Sequence, residues 1–337
     1  MTRSRPDSIT FVCCIEHGRL EDETLLMLET LRMNGGALAE ARVIAVVGRR
    51  GAPLAGATIR ALERLDVELV HDRAANPAPW FNYANKVAAV QIAQARATTP
   101  LVAWLDSDVL IAAEPRGLLL PEGIDFGGRC EFLPPAVHAG SRLHVPYWER
   151  LCALAGAKLD DLPLVRIDHL GVDIRLNFNS GVFVWRRGST FAQAYKALFV
   201  ALLESRLAQH DGNFFTTDQV IIAPLLLANG LSWKHLDLVD HHMIFQKQLE
   251  GPGASPDMSR SRVVHYSRSL NPPFRPAFLK RLEAELPALF AHLQARGRAA
   301  DEKKGFAARW LILGLKAYRN LRWKLYAARV RRAPRGA

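Results

Sequence analysis

The chain has 337 residues, a formal net charge of +11 and 23% charged residues. This length suits one large domain or two smaller ones, and the composition excludes a disordered or fibrous protein. The four cysteines are few for the length, and no two of them are spaced as C-x-x-C. We therefore expect reduced, buried thiols in a cytoplasmic protein, and neither a disulfide framework nor a zinc site.

The two features that would direct the chain to a membrane or out of the cell are missing from the sequence. The N-terminal MTRSRPDSIT is followed by only a short apolar run, without the apolar core and cleavage site of a signal peptide. No stretch reaches the roughly 18 uninterrupted apolar residues that a spanning helix requires. We expect a cytoplasmic protein, with peripheral association at the inner face of the plasma membrane as an option that depends on the tail.

The positive charge is concentrated at the C-terminus. Eleven of the 44 Lys and Arg residues lie from Lys303 to the end, where no acid occurs, so the first 302 residues carry 33 basic and 33 acidic side chains. A domain that binds nucleic acid is expected to spread a basic patch over its own surface. The neutral body therefore predicts no nucleic-acid partner.

Strands and helices alternate over the first 110 residues. Apolar runs predict strands at 8–16, 41–48, 66–71 and 100–106. Apolar residues at helical spacing predict helices at 21–35, 56–65 and 81–97. This alternation is typical of a mostly parallel, doubly wound α/β sheet.

The remainder of the chain is more mixed. We predict strands at 124–132, 180–188 and 262–267 and helices at 143–157, from about 189 to 205, at 216–230 and at 276–295. Thr217 and Gly230 would begin and end the third of these helices. The polar segment 295–305 predicts a hinge, which divides the chain into a catalytic domain, 1–296, and a tail, 297–337.

The segment LVAWLDSDVL, 101–110, places Asp106 and Asp108 at the end of a buried strand. In an open α/β sheet, ligands bind at the carboxyl ends of the strands. In an extended chain residues i and i+2 point the same way, so both carboxylates could face one ligand, and a divalent cation would relieve their repulsion. Asp and Ser are equally common in turns. Taken alone, the pair fits either interpretation.

Other polar stretches follow in a recognisable order, and together with the paired acids they resemble the GT-A fold nucleotide-sugar glycosyltransferases. The resemblance is closest to the glycogenin-like and bacterial lipopolysaccharide galactosyltransferase group, whose Asp-x-Asp motif follows an Asn/Lys-bearing helix. It covers about residues 8–275. The matching features are Lys86 in WFNYANK, Asp106 to Asp108, Asn179-Ser180-Gly181, Asp218-Gln219 and His265.

The resemblance implies a role for each of these positions. Asp106, Asp108 and His265 would bind Mn²⁺ or Mg²⁺, which would hold the donor diphosphate. Asp218 and Gln219 would lie near the transferred sugar or the acceptor and are the catalytic candidates. The implied donor-binding residues are Asn82, Lys86, Asp106, Ser107, Asp108, Asn179, Ser180 and Gly181, with Gly181 allowing close approach of the backbone to the sugar.

Each of these side chains also has a purely structural interpretation. Lys86 could be an exposed helix charge, His265 a buried histidine without chemistry, and Asp218 an acid that favours the start of a helix. The adjacent His241 and His242 would point to opposite faces of a strand, and we predict that they are loop residues without a functional role.

The late motif departs from the family pattern. In HYSRSLNPPF, 265–274, Arg268, Asn271 and Pro273 stand where the family usually has glycine, lysine and tryptophan. Arg268 or Arg275 could supply the missing cation. The stereochemical outcome is open, because the resembling group retains anomeric configuration whereas an inverting relative needs a carboxylate base, for which Asp218 is the candidate.

Two other functions compete with the transferase. A haloacid-dehalogenase-type phosphatase would use Asp106 as its nucleophile and Asp108 as an acid/base. Its motif normally opens the domain, however, whereas here about a hundred residues precede it. A non-catalytic carbohydrate-binding protein remains an alternative, although both acids are present.

The tail, 306–332, predicts a basic amphipathic helix. The apolar residues at helical spacing are Trp310, Leu313, Ala317, Leu321, Leu325 and Ala328, and they are surrounded by Lys and Arg. Such a helix fits the headgroup region of an anionic membrane, where each basic residue contributes on the order of 1 kcal/mol. The alternative is a helix packed on the body of the protein.

From these features we predict a metal-dependent glycosyltransferase of the hexosyltransferase type. It would transfer a sugar from a nucleoside diphosphate donor, most simply a UDP-sugar, to a hydroxyl of a glycan or lipid-linked acceptor. A tail that binds an anionic membrane suits the synthesis of cell-envelope polysaccharide.

Overall fold

The computed structural model describes residues 8–132, 136–137, 139–140, 142–205, 207, 217–244, 249, 255–296 and 306–331. Most of the predicted hinge, 297–305, lies outside these residues, as do the last six residues of the tail. The division into a catalytic domain and a tail therefore stays a prediction.

The predicted strands and helices are present in the described residues in the predicted order, and the structure adds five short strands that we did not predict. The strands are β1 Ile9–Cys14, β2 Arg42–Val47, β3 Val67–His71, β4 Leu101–Leu105, β5 Val109–Ile111, β6 Phe126–Cys130, β7 Leu164–Ile167, β8 Val172–Arg175, β9 Phe178–Arg186, β10 Trp233–His235, β11 His242–Met243 and β12 Val263–His265. The helices are α1 Arg19–Asn34, α2 Gly56–Arg64, α3 Ala84–Arg96, α4 Val145–Ala155, α5 Phe191–Glu204, α6 Thr217–Val220, α7 Ile222–Ala228, α8 Arg275–Glu285, α9 Pro287–Arg296 and α10 Phe306–Arg331.

The main sheet has seven strands in the order β10-β6-β9-β4-β1-β2-β3. Strand β9 runs antiparallel to both its neighbours, and the other adjacent pairs are parallel. Strands β2 and β3 extend the sheet on one side of β1, and β4 lies on its other side. The prediction of a mostly parallel, doubly wound α/β sheet is confirmed by this topology.

Both faces of the main sheet are covered, which explains the continuous apolar runs of its strands. In β1, Phe11 and Cys13 belong to the core beneath α1 and α2, whereas Val12 points to the core formed with α3 and α5. All four cysteines are free, and burial raises the pKa of the Cys13 thiol to about 12. The expected burial of the thiols is confirmed at Cys13, Cys130 and Cys152.

A second sheet, β11-β12-β5, carries the late histidine to the end of β4. Strand β12 pairs antiparallel with β5, and His265 lies opposite Val109 in the register. Because β5 begins one residue after Asp108, this pairing brings His265 beside Asp108 although the two are far apart in the chain. The predicted strand at 262–267 is confirmed, with β12 in this smaller sheet.

Two predicted helices are each split in two. The helix predicted at 216–230 divides into α6 and α7, since Pro224 has no N–H to donate to the carbonyl of Val220 four residues earlier. The helix predicted at 276–295 divides at Leu286, because the residue before a proline, here Pro287, is driven out of helical geometry. Thr217 is the first residue of α6 and is not its cap.

The tail helix α10 packs against the body through one of its faces. The Trp323 ring lies 6.3 Å from Trp80 and 6.1 Å from Phe81, between ring centroids. The Tyr326 hydroxyl donates a hydrogen bond of 2.9 Å to the carbonyl of Leu203. For this face, the alternative prediction of a helix packed on the body of the protein is therefore correct.

The apolar face predicted for the tail points away from the body. Leu313, Leu321 and Leu325 are 56%, 56% and 50% exposed, respectively. Within the part of the chain that the structure describes, no helix is both long enough and apolar enough to span a membrane.

Candidate active site

The paired carboxylates lie in a turn between β4 and β5, with Ser107 half-buried between them. The two acids do not lie in an extended chain, as we expected, because β4 ends at Leu105. The backbone N–H of Asp106 still donates to the carbonyl of Gly181 at 2.8 Å, which fixes the start of the turn against β9. The turn and the metal site are therefore compatible interpretations of the same residues.

His265 completes a cluster with the two acids. Its Nε2 lies 3.3 Å from Oδ1 of Asp108 and 4.0 Å from Oδ2 of Asp106. One ligand atom from each of the three residues lies within 4.8 Å of the others. Two carboxylate oxygens and an imidazole nitrogen form a donor set that suits Mn²⁺ or Mg²⁺. The three predicted ligands form a candidate metal site.

The pKa values of the two carboxyl groups in the cluster are shifted in opposite directions. Burial raises the pKa of the Asp106 carboxyl, and this effect exceeds the opposing influence of Lys86. Burial also disfavours ionisation of Asp108, but the charge and hydrogen bond of His265 outweigh it and hold the pKa of Asp108 below its usual value. Burial lowers the pKa of His265, whereas Asp108 and Asp106 together raise it above its usual value.

Lys86 lies inside the protein and joins two of the predicted motifs. Its Nζ lies 2.8 Å from Oδ2 of Asp218 and 3.2 Å from Oδ1 of Asp106. It also donates to the carbonyl oxygen of Ser180 at 2.8 Å. Burial lowers the pKa of Lys86, but the two carboxylates outweigh burial and raise the pKa above its usual value. The interpretation of Lys86 as an exposed helix charge is wrong.

Asn179 and Gly181 shape the backbone beside the metal cluster. The Asn179 side chain accepts a hydrogen bond from the N–H of Gly181 at 2.7 Å. A methyl group at position 181 would overlap Cε1 and Nδ1 of His265. The missing side chain of Gly181 therefore makes room for the histidine, a reason that differs from the close approach to a sugar expected from the sequence.

Asp218 and Gln219 lie in the first turn of α6, beneath β9. The Asp218 carboxylate accepts a hydrogen bond from the Ser180 hydroxyl at 2.8 Å, and its side chain is 3% exposed. Gln219 accepts a bond from the backbone N–H of Ser180 at 3.4 Å. Its Nε2 is buried without a hydrogen-bond partner among the described residues. A catalytic role for these two residues stays a prediction.

A polar network that the sequence analysis missed lies at the ends of β1 and β2. Arg49 forms a bidentate ion pair with Glu16, at 2.5 Å and 2.7 Å. Arg49 also donates to Oδ1 of the predicted donor-binding residue Asn82 at 2.6 Å. Asn85, next to Lys86, donates to the same Glu16 carboxylate. The only sequence signal was the position of Glu16 and Arg49, two residues beyond their strands.

His241 has a contact at the candidate metal site that the sequence analysis did not predict. Its Nε2 lies 3.2 Å from Nδ1 of His265, and its side chain is fully buried. A metal-binding histidine is usually oriented by a partner on its other ring nitrogen. His241 lies in a loop, as predicted, and its contact with a candidate ligand places it beside the metal cluster. His242 is the first residue of β11, so the prediction of a loop is wrong for that residue. His242 faces away and contacts Ser261.

The comparison with protein families identifies the class of the chain. Residues 11–230 match the model of the Rhodobacterales glycosyltransferase domain. The matched region is more than half of the chain and contains the candidate metal acids, Lys86 and the Asp218-Gln219 pair. The chain belongs to this family, and it is a glycosyltransferase. A search of curated proteins finds no match.

Several solved glycosyltransferase structures are similar to the chain at low sequence identity. The galactosyltransferase LgtC, with donor and acceptor sugar analogues, is 13% identical, with 84% of this chain and 95% of that chain covered and a TM-score of 0.48. The bifunctional glycosyltransferase WbbM is 13% identical over 87% of this chain, which spans 52% of WbbM, with a TM-score of 0.45. GlyE of Streptococcus pneumoniae is 12% identical, with coverages of 90% and 67% and a TM-score of 0.45.

Proposed function

We propose that the protein is a metal-dependent hexosyltransferase that moves a sugar from a nucleoside diphosphate donor to a hydroxyl of a glycan or lipid-linked acceptor. The observation that carries the proposal is the cluster of Asp106, Asp108 and His265 at the end of β4, within a glycosyltransferase family. Family membership favours sugar transfer over the phosphatase and over the non-catalytic binding protein.

The candidate ligands are held by neighbouring side chains in orientations that suit the binding of an ion. Oδ1 of Asp106 is already engaged by the Trp104 indole at 2.8 Å and by Lys86, so its other oxygen is directed to the cluster. A divalent cation held there would neutralise the charge that develops on the leaving diphosphate. His265 is neutral when it binds a metal, and His241 is placed to hold its free ring nitrogen.

The strand order indicates how the donor would lie. Ligands of open α/β sheets bind where the strand order reverses, which here is between β1 and β4. With the diphosphate at the end of β4, the nucleoside would extend over the ends of β1 and β2, beside Glu16 and Arg49. The predicted donor-binding residue Asn82 belongs to this network through its bond to Arg49.

Besides the metal, Lys86 and Arg268 would supply positive charge near the donor phosphates. Lys86 is fixed by its two carboxylates at the metal cluster. Arg268 is exposed in the turn that follows β12, three residues after the candidate ligand His265. We propose that Arg268 replaces the lysine of the usual family motif.

The sugar would lie beyond the diphosphate, over β9 and α6. The amide nitrogen of Gln219, which has no hydrogen-bond partner within the described part of the chain, is suited to donate a hydrogen bond to a sugar hydroxyl. Asp218 is engaged by Lys86 and Ser180, which favours a role in holding Lys86 over direct removal of an acceptor proton.

The proposal is tested by thermal unfolding with UDP, GDP, CDP and ADP, each with and without Mn²⁺. One nucleotide should stabilise the protein only with metal, by about 2.7 kcal/mol at a hundred times its dissociation constant. Asp108→Asn should remove the metal-dependent increment, because one of the three ligands loses its charge. The exposed Asp161→Asn should behave as wild type. Stabilisation that is independent of metal, or Mg²⁺-dependent hydrolysis of phosphate esters, would contradict the proposal.

We also propose that the outward face of α10 binds an anionic membrane surface, where a lipid-linked acceptor would be found. Leu313, Leu321 and Leu325 are at least half exposed, and basic residues flank them. The opposite face of the helix is held by the body, so the helix presents its apolar residues without having to detach. Anionic lipids complement the basic residues.

Substitution Leu321→Ser/Leu325→Ser should weaken binding to vesicles that contain phosphatidylserine by about tenfold or more. The reason is that burying one leucine side chain contributes about 1.5–3 kcal/mol, and 1.4 kcal/mol corresponds to a factor of ten. Cosedimentation measures the effect. Leu143→Ser/Leu164→Ser, at exposed positions on the body, is the matched control. Equal binding of both variants and wild type would refute the membrane proposal.

A further inference from the structure

A cleft lies between α10 and the ends of β1 and β2. It is lined from the body by Glu16, Val47 and Arg49, and from the tail helix by Ile312, Leu315 and Arg319. The sequence assigns the tail to a separate unit, whereas the structure places one of its faces in the wall of a cleft beside the candidate active site. We propose that α10 closes the nucleoside subsite of the donor, an inference that rests on the proposed function.

Contacts on either side of the cleft fix the position of α10 over it. The guanidinium of Arg319 donates to the carbonyl of Arg50 at 2.6 Å, just beyond β2. One turn further on, Trp323 packs on Trp80, with ring centroids 6.3 Å apart. Ile312, Leu315, Arg319 and Trp323 are half-buried, and their spacing of three and four residues places them on one face of the helix.

The cleft adjoins the candidate metal site through a short series of contacts. Glu16, in the cleft wall, accepts a hydrogen bond from Asn85. The next residue, Lys86, is ion-paired with Asp106 of the candidate metal cluster. A donor whose diphosphate lies at that cluster therefore has its nucleoside within reach of the cleft.

The lining has the chemistry that a nucleoside requires. Val47, Ile312 and Leu315 provide apolar surface for a base. The Glu16 carboxylate accepts hydrogen bonds from the protein, and its two oxygens have further acceptor capacity for a ribose hydroxyl or a base N–H. Arg49 and Arg319 also line the cleft, and their guanidinium groups can donate hydrogen bonds to the oxygens of a base or a ribose.

The decisive experiment is calorimetric titration of UDP and of inorganic pyrophosphate, both with Mn²⁺, with GDP, CDP and ADP run in parallel. Pyrophosphate occupies only the metal and phosphate contacts, so it separates the nucleoside subsite from the metal site. Leu315→Trp fills the cleft from α10, and Arg319→Ala removes a wall residue without adding bulk. The controls are Leu313→Trp and Arg322→Ala, at exposed positions on the same helix.

Leu315→Trp should weaken binding of the preferred nucleotide by about tenfold or more, a loss of about 1.4 kcal/mol, and leave pyrophosphate affinity within about twofold. Arg319→Ala should likewise weaken binding of the nucleotide and leave the affinity for pyrophosphate nearly unchanged. This variant tests the inference if Leu315→Trp does not fold. Wild-type nucleotide affinity in both variants, or equal losses for nucleotide and pyrophosphate, would overturn the inference while the proposed function stands. Absence of nucleotide and pyrophosphate binding by the wild type would overturn both.

Discussion

Gly181→Ala should weaken Mn²⁺ binding by about 10–100-fold, the range seen when the orientation of a metal ligand is lost. A methyl group at this position would overlap the ring of His265. The ring has little space to yield, because it is buried and His241 contacts its other nitrogen at 3.2 Å. The substitution would therefore move Nε2 away from Asp108. Calorimetric titration of Mn²⁺ in the presence of UDP measures the change.

The matched control is Gly188→Ala, because position 188 is exposed just beyond β9 and a methyl group there meets no atom within 4 Å. A second comparison uses His265→Ala as the background. If Gly181→Ala acts through the histidine, it should cause little further loss of metal affinity in that background. Wild-type Mn²⁺ affinity in Gly181→Ala would mean that His265 is not a ligand.

The alternation of strands and helices was sufficient to predict the main sheet and the location of the paired acids. The run LVAWL is buried on both faces of the sheet, and a run of this kind at the end of an α/β alternation forms a central strand. Its carboxyl end then lies near the switch point for topological reasons alone. The sequence therefore placed Asp106 correctly although it gave the wrong local conformation around Ser107.

Contacts between distant segments could not be predicted in the same way. His265 was assigned through the resemblance, whereas its position beside Asp108 arises from the pairing of β12 with β5. His241 has no pattern of its own, since its contact with His265 depends on how β11 and β12 are placed. The role of Gly181 depends on the His265 ring, which occupies the space that a side chain at position 181 would fill.

For the tail, the sequence did not reveal which face of the helix packs on the body. The stripe through Leu313, Leu321 and Leu325 is regular, and we identified it as the apolar face of the helix. A second face, through Leu315 and Trp323, is also apolar and is the one that packs on the body. Which of two apolar faces is buried depends on the shape of the surface that receives the helix, and that surface is assembled from segments distant in sequence.

The largest effect on stability is expected at Lys86, whose ammonium group compensates two carboxylates inside the protein. The Lys86 and Asp218 side chains are 8% and 3% exposed, respectively. Removing one partner of a buried ion pair leaves an uncompensated charge, which costs about 3–5 kcal/mol. Lys86→Met should therefore lower the free energy of unfolding by about this amount, as measured by urea denaturation.

The double variant Lys86→Met/Asp218→Asn separates this cause from a loss of packing. If the uncompensated Asp218 charge is responsible, neutralising it should recover part of the stability, so that the double variant is more stable than Lys86→Met alone. Lys280→Met, an exposed lysine on α8, controls for the change of side chain. Equal stability of Lys86→Met and wild type, or further destabilisation in the double variant, would contradict the ion-pair interpretation. Lys86 would then hold the site only through its bonds to Ser180, and the charge balance around Asp106 would have to be supplied by His265 and the metal.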